Sequence, residues 1–232
     1  MEKILDYMKK SLPKYLVIQP STGKKISFTP FTVKDEKSLL IANNTGNKED
    51  FLMTIGNIIS SCFDIKTDVQ SLPIFDIEYF FIKLRCKSVG EIVDTTIICP
   101  ETNEKVNIHL NLDSIEPITF ENHSKKINLD NMIVTMRYPT LNDFMNKKDN
   151  EDYYDLMLKC IETIETPKEI IETKNYSIES LKEFLDLLTK PQFNKVIDFF
   201  KTMPKIQTEL KYTTSDGVDR KVILRGVRDF FQ

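Results

Sequence analysis

Apolar residues recur along this chain at spacings of two and of three to four, and turn-forming residues separate the runs into elements. YLVIQPSTGKKISFTPF predicts two short strands around a Ser-Thr-Gly turn, because β-branched and aromatic residues flank a residue that tolerates positive φ. In the following TVKDEKSLLIANNTG, Thr32 and Asp35 stand at the spacing of a capping box, and Leu39, Leu40 and Ala42 supply an apolar face. Asn43 to Gly46 then stops the helix. A second helix is predicted from Lys48 to Cys62, with Phe51, Leu52, Ile55, Ile58, Ile59 and Cys62 at helical spacing.

The third helix opens at SLPIFD and carries two apolar faces. At about 100° per residue, Phe75, Tyr79, Ile82, Cys86 and Val89 share one side, while Ile77, Phe80, Phe81 and Leu84 share the other. Charges fill the seams: Asp76, Lys83 and Lys87 along one, Glu78 and Arg85 along the other. A helix at the surface of a domain shows a single stripe, so this pattern predicts a central helix covered on both flanks.

Gly90 suits the end of that helix. EIVDTTIICPETNEKVNIHLNL follows as a ribbon around a Pro-Glu-Thr-Asn turn, and after a polar passage from Ser114 to Lys126 a hairpin turns at Asp130 and Asn131. Thr140 and Asp143 repeat the capping pattern. Helices are predicted over roughly Glu151 to Thr163, Ser177 to Leu188 and Pro191 to Met203, then a second ribbon around Ser-Asp-Gly, KIQTELKYTTSDGVDRKVILRG. Both halves therefore read hairpin, capped helix, helix, Pro-x-Phe helix, ribbon. Their landmarks (TVKD and TLND, Pro73-x-Phe75 and Pro191-x-Phe193) are separated by about 110 residues, as in an internal duplication. The expectation is an α+β fold with a helical core and peripheral β-hairpins, divided into units 1–112 and 113–232.

A lone two-stranded ribbon is marginally stable and needs a surface to pack on, which makes the ribbons natural attachment points. Tyr212 and Ile223 on the second ribbon, with Phe230 and Phe231 at the C-terminus, are the candidate interface residues.

Composition narrows the chemistry. At 232 residues with 41% hydrophobic and 29% charged positions the chain is an ordinary folded protein, and a net charge of −3 gives no global field for nucleic acid. Lys24-Lys25, Lys125-Lys126 and Arg220-Lys221 are the basic pairs that a small regulatory or nucleic-acid-binding module of ribbon type would use. No apolar run reaches the roughly 18 residues of a membrane helix, and the N-terminal stretch lacks a signal-peptide core, so residence in a cytoplasm is expected. Cys62, Cys86, Cys99 and Cys160 never approach a C-x-x-C spacing, and His109 and His123 are the only histidines; neither a disulfide framework nor a zinc site is written here. No phosphate-binding glycine loop, nucleophile elbow or H-E-x-x-H is present, so the sequence favours binding over reaction, with no cofactor.

The string SLPIFDIEYFFIKLRCKSVGEIV, with KKISFTPFTVKDEKSLL before it, MRYPTLNDF in the middle and LRGVRDFF at the end, resembles the baseplate protein family of T-even-type contractile-tailed phages. The resemblance covers nearly the whole chain. Ribbons of that family often carry cysteine pairs of zinc-binding appearance; here the first retains Cys99 alone and YTTSDGVDRK in the second has none. The resemblance implies a non-enzymatic protein acting while the baseplate hub is built, as a hub subunit or as a chaperone for hub or tape-measure proteins. It places the chain in the host cytoplasm during assembly and, for a retained subunit, in the virion tail.

Overall fold

A computed structural model describes residues 1–145 and 153–226 of the chain. The fold is α+β, and the chain divides into two compact units: Met1–Ile118 together with Lys205–Gln232, and Thr119–Pro204. The division differs from the expected break near residue 112. The reason lies in the ribbon following Lys205, whose apolar side is covered by the first ribbon, so that it joins the first unit.

The first unit begins with α1 (Glu2–Lys10), the hairpin β1 (Tyr15–Ile18) and β2 (Lys25–Phe28), then α2 (Val33–Asn44), α3 (Lys48–Cys62) and α4 (Ile74–Ser88), and the ribbon β3 (Ile92–Ile98) and β4 (Lys105–Asn111). The capping box predicted for α2 is formed: the backbone N–H and hydroxyl of Thr32 each donate to Asp35 Oδ2 at 2.8 Å. Gly46 closes the helix at φ +69°. Helix α4 lies at the centre, as its two-faced pattern requires. Phe75 and Ile82 on one side and Ile77, Phe80 and Leu84 on the other are all essentially without solvent contact, and Ile55 and Ile59 of α3 join them. Phe63 links this helix to the hairpin, its ring 4.8 Å from both Phe28 and Phe80. Val89, expected on the first apolar face, instead lies just past the helix end and is exposed.

The second unit is built on a four-stranded antiparallel sheet in the order β5 (Lys126–Asn128), β6 (Ile133–Met136), β7 (Ile161–Glu165), β8 (Ile170–Glu172). Between β6 and β7 lie α5 (Leu141–Met145) and α6 (Tyr153–Lys159); α7 (Ile178–Asp186) and α8 (Lys190–Thr202) follow β8. The long helix expected up to Thr163 ends at Lys159, and the β7–β8 hairpin was not foreseen. IETIE is short enough to read as the last turns of a helix, and pairing decides its state: β7 bonds β6 on one side and β8 on the other. The Thr173 hydroxyl also donates to the Ile161 carbonyl at 2.5 Å. Leu129, Val134, Met136, Cys160 and Val196 form the centre of this core, with Phe199 and Phe200 edge to face at 5.0 Å. Thr140 and Asp143 repeat the capping geometry of Thr32 and Asp35 at 2.8 and 2.9 Å. Here Arg137 adds a two-pronged bond to the same carboxylate at 2.7 and 3.0 Å.

The chain returns to the first unit through β9 (Gln207–Thr213) and β10 (Asp219–Arg225).

Candidate interaction surfaces

The two ribbons of the first unit meet through their apolar sides. Ile97, Cys99, Val106 and Ile108 from the first pack with Leu210, Tyr212 and Val222 from the second. Alternation along the strands puts Leu210, Tyr212, Val222 and Leu224 inward and Ile223 outward, where its neighbour across the ladder is Glu209. Each ribbon thus supplies the cover that the other needs.

Their turns are joined by polar contacts. Arg220 donates to Glu101 Oε2 at 3.0 Å and grips both oxygens of Asp216 at 2.9 Å, and its guanidinium also reaches the Thr214 hydroxyl. From the second turn, the Ser215 N–H and hydroxyl both donate to Glu104 Oε2, at 2.9 and 3.0 Å. The Arg220 bonds, with further help from Thr214 and the Val218 N–H, hold the Asp216 carboxyl well below the usual carboxylate range. Cys99 sits fully buried between the turns. Its thiol is drawn down to about 7, first by the Thr102 hydroxyl, against the opposing effect of burial, with Tyr212 contributing. Among the described residues no cluster of three or more His, Cys, Asp or Glu side chains could hold a metal ion.

Of the four sequence-predicted interface residues, Tyr212 is buried in the contact between ribbons, Ile223 is 41% exposed, and Phe230 and Phe231 lie outside the described residues. Arg220 and Lys221, one of the basic pairs, are matched by acids, Lys221 bonding Glu209 at 3.1 Å. His109 faces solvent, paired with Asp94. His123 lies between the Thr202 and Tyr138 hydroxyls at 3.0 Å each, and burial and Lys125 lower its pKa.

Sequence reasoning missed the exposed apolar positions of the first unit. Leu40, assigned to the inward face of α2, is 58% exposed, and Val33 and Ile41 of the same helix are equally open. Only Ala42 of α2 is buried. The apolar residues of α2 are spread round the helix, and a spacing count of Leu39, Leu40 and Ala42 does not reveal that. Between α2 and α4 lies a cleft of about 160 Å³ lined by Phe31, Leu39, Leu40, Phe51, Phe81 and Val89 together with the charged Glu36 and Arg85. A second groove, of about 480 Å³, runs beside β1, which among the described residues pairs with β2 alone. Lys83 is among its lining residues, donating to the Asp113 carbonyl at 2.6 Å and to Glu116 at 2.9 Å.

Comparison with known proteins shows the family of this chain. The profile of the T4 bacteriophage base plate protein family matches residues 12–232. The chain belongs to that family. It is a phage baseplate protein, and its similarity extends to the baseplate hub assembly protein gp26 of Enterobacteria phage T4, with 21% identity over 216 residues, covering 90% of this chain and 94% of the relative. No solved structure matches it. The family match spans both units and both ribbons, so the pairing of ribbons across the inserted second unit lies within the family's extent.

Proposed function

We propose that this baseplate protein works by binding, as an assembly factor that holds hub components during construction of the baseplate and leaves before the particle is complete. The observation that carries this reading is the full-length similarity to a protein whose name is baseplate hub assembly protein. The surface supports it: Leu16 and Ile18 on the outward side of β1 and Val33, Leu40 and Ile41 on α2 are open apolar positions in one unit, suited to temporary cover of a partner's apolar surface. Partners of this kind are baseplate hub proteins and, as a further candidate, the tape-measure protein.

Mass spectrometry of purified particles and of hub intermediates from infected cells tests the reading. The protein is expected on intermediates and absent from mature tails. Recovery in mature tails at a fixed ratio to hub proteins would identify a retained subunit instead, which should bury roughly 800 Å² or more at each contact.

A further inference from the structure

Paired antiparallel strands point their backbone groups alternately toward one another and away. In the β1–β2 hairpin the Gln19 N–H donates to the Lys24 carbonyl at 2.8 Å, so two and four residues back Val17 with Ile26 and Tyr15 with Phe28 are the bonded pairs. Leu16 and Ile18 therefore turn their N–H and carbonyl groups to the outer edge. The other side of the hairpin agrees: Ser27, which stands across from Leu16, turns its carbonyl outward and accepts the Asp64 N–H at 2.9 Å, while Thr29 donates to the Cys62 carbonyl at the same distance. The edge of β2 is thus covered by its own chain. That of β1 is not, since among the described residues no backbone bond reaches Leu16 or Ile18 from beyond the hairpin. An edge left in this state is a template for another strand.

The groove beside this edge has a definite polarity. Asp76, in the first turn of α4, binds Gln19 and Ser21 at one end of β1, and Lys87, in the last turn, lies 6.0 Å from the centre of the Tyr15 ring at the other. Its charge is acidic in balance: Glu91, Asp113 and Glu116 stand against Lys83 and Lys87, both lysines are engaged by these acids, and Asp113 and Glu116 are the more exposed partners. We propose that the groove takes one extended segment of a partner protein, added to β1 as a third strand, apolar at the positions beside Leu16 and Ile18 and basic at those between. Side chains alternate across a strand, so the exposed Leu16 and Ile18 offer an apolar side, while the side of Val17 and Tyr15 looks toward α4 and its acids. Bonds to the backbone of Leu16 and Ile18 supply affinity, and the alternation supplies selection. The inference names the surface for the binding reading above and rests on it, but peptide binding by the purified protein is independent of whether the protein leaves the particle.

The probe is a fluorescently labelled peptide, Thr-Lys-Val-Lys-Val-Lys-Thr, titrated with the full chain and followed by anisotropy, with amide hydrogen exchange read by NMR. Saturable binding is expected, at least tenfold weaker for Thr-Glu-Val-Glu-Val-Glu-Thr, with exchange slowed at the Leu16 and Ile18 amides and unchanged at Tyr15 and Val17. Leu16→Pro removes one outward N–H and leaves the bonds to β2 in place, a substitution that edge strands tolerate, and should also weaken binding at least tenfold. Should that variant fail to fold, a peptide N-methylated at both valines, which cannot donate to the Leu16 and Ile18 carbonyls, should show the same loss on the unaltered protein. No saturable binding, binding indifferent to the charge of the peptide, or binding that leaves both amides unprotected overturns the proposal. So does protection of both amides without peptide in a protein that sediments as a dimer, which would assign the edge to a second copy.

Discussion

Glu78 illustrates how a single position can carry a pH dependence that its neighbours do not share. Protein atoms crowd its carboxyl on α4, and loss of hydration pushes its pKa from 4.5 up to about 8. With the folded value above the unfolded one, the folded chain holds a proton that the unfolded chain has already released. The stability this brings is complete below pH 4.5 and declines as pH rises through 8. Raising the pH from 6 to 9 should therefore cost about 1 to 3 kcal/mol, the range allowing for the part of this half-buried side chain that water still reaches. Glu78→Gln, which keeps the shape and removes the titration, should lose that dependence. Cys99 works in the opposite direction, its thiol held below the ordinary value, so stability from this group grows as pH rises past 7. The difference between wild type and Glu78→Gln in urea midpoint at pH 6 and pH 9 isolates the carboxyl. Parallel curves for the two proteins would mean that Glu78 is solvated.

At the scale of elements, hairpin and helix are fastened by a buried acid that the sequence pattern puts in the charged seam between two apolar faces. Asp76, in the first turn of α4, is fully buried and receives the Gln19 amide at 2.7 Å, the Ser21 N–H at 2.9 Å and the Ser21 hydroxyl at 2.5 Å. Burial raises its pKa even against these three donors. Asp76→Ala would strand a buried amide and two donors of the β1–β2 turn, with an expected loss of about 2 to 4 kcal/mol in urea unfolding and faster exchange of the Ser21 amide. A loss under about 1 kcal/mol would show that water replaces the carboxylate. The periodicity of α4 locates both apolar faces, Val89 at the helix end excepted, because each face is built from residues of one helix. Nothing in periodicity marks Asp76 as internal, since its donors lie more than fifty residues away. The same limit hid β7 and β8, where strand pairing overrode a local pattern compatible with helix. It also hid the role of Tyr212: alternation shows that this residue has a side, and the residue covering that side is Cys99, on the other ribbon.

The whole molecule is organised by an insertion. Ile118 and Lys205 form a hydrogen-bonded antiparallel pair, N–H to carbonyl at 2.9 and 3.1 Å in the two directions, so the chain leaves the first unit and returns to it at adjacent points. Between them, Thr119–Pro204 carries its own sheet, helices and core. Landmarks offset by 108 and 118 residues suggest a duplication with a cut between halves; such local strings do not disclose that the last ribbon belongs with the first. Two pieces should follow from the insertion. A fragment of residues 119–204 should fold alone with a cooperative thermal transition. In the remainder, the two residues of a hydrogen-bonded pair lie about 5.5 Å apart at Cα, a gap that an Asn-Gly turn closes, so Met1–Ile118 joined through Asn-Gly to Lys205–Gln232 should fold as well. Met1–Ile118 without the second ribbon should not, because Cys99, Ile108 and their neighbours would lose the cover of Leu210, Tyr212 and Val222. Circular dichroism melts of the three proteins decide the matter. A cooperative transition for Met1–Ile118 alone would show that the ribbons are stable apart and that their pairing is not what holds the C-terminal strands in the first unit.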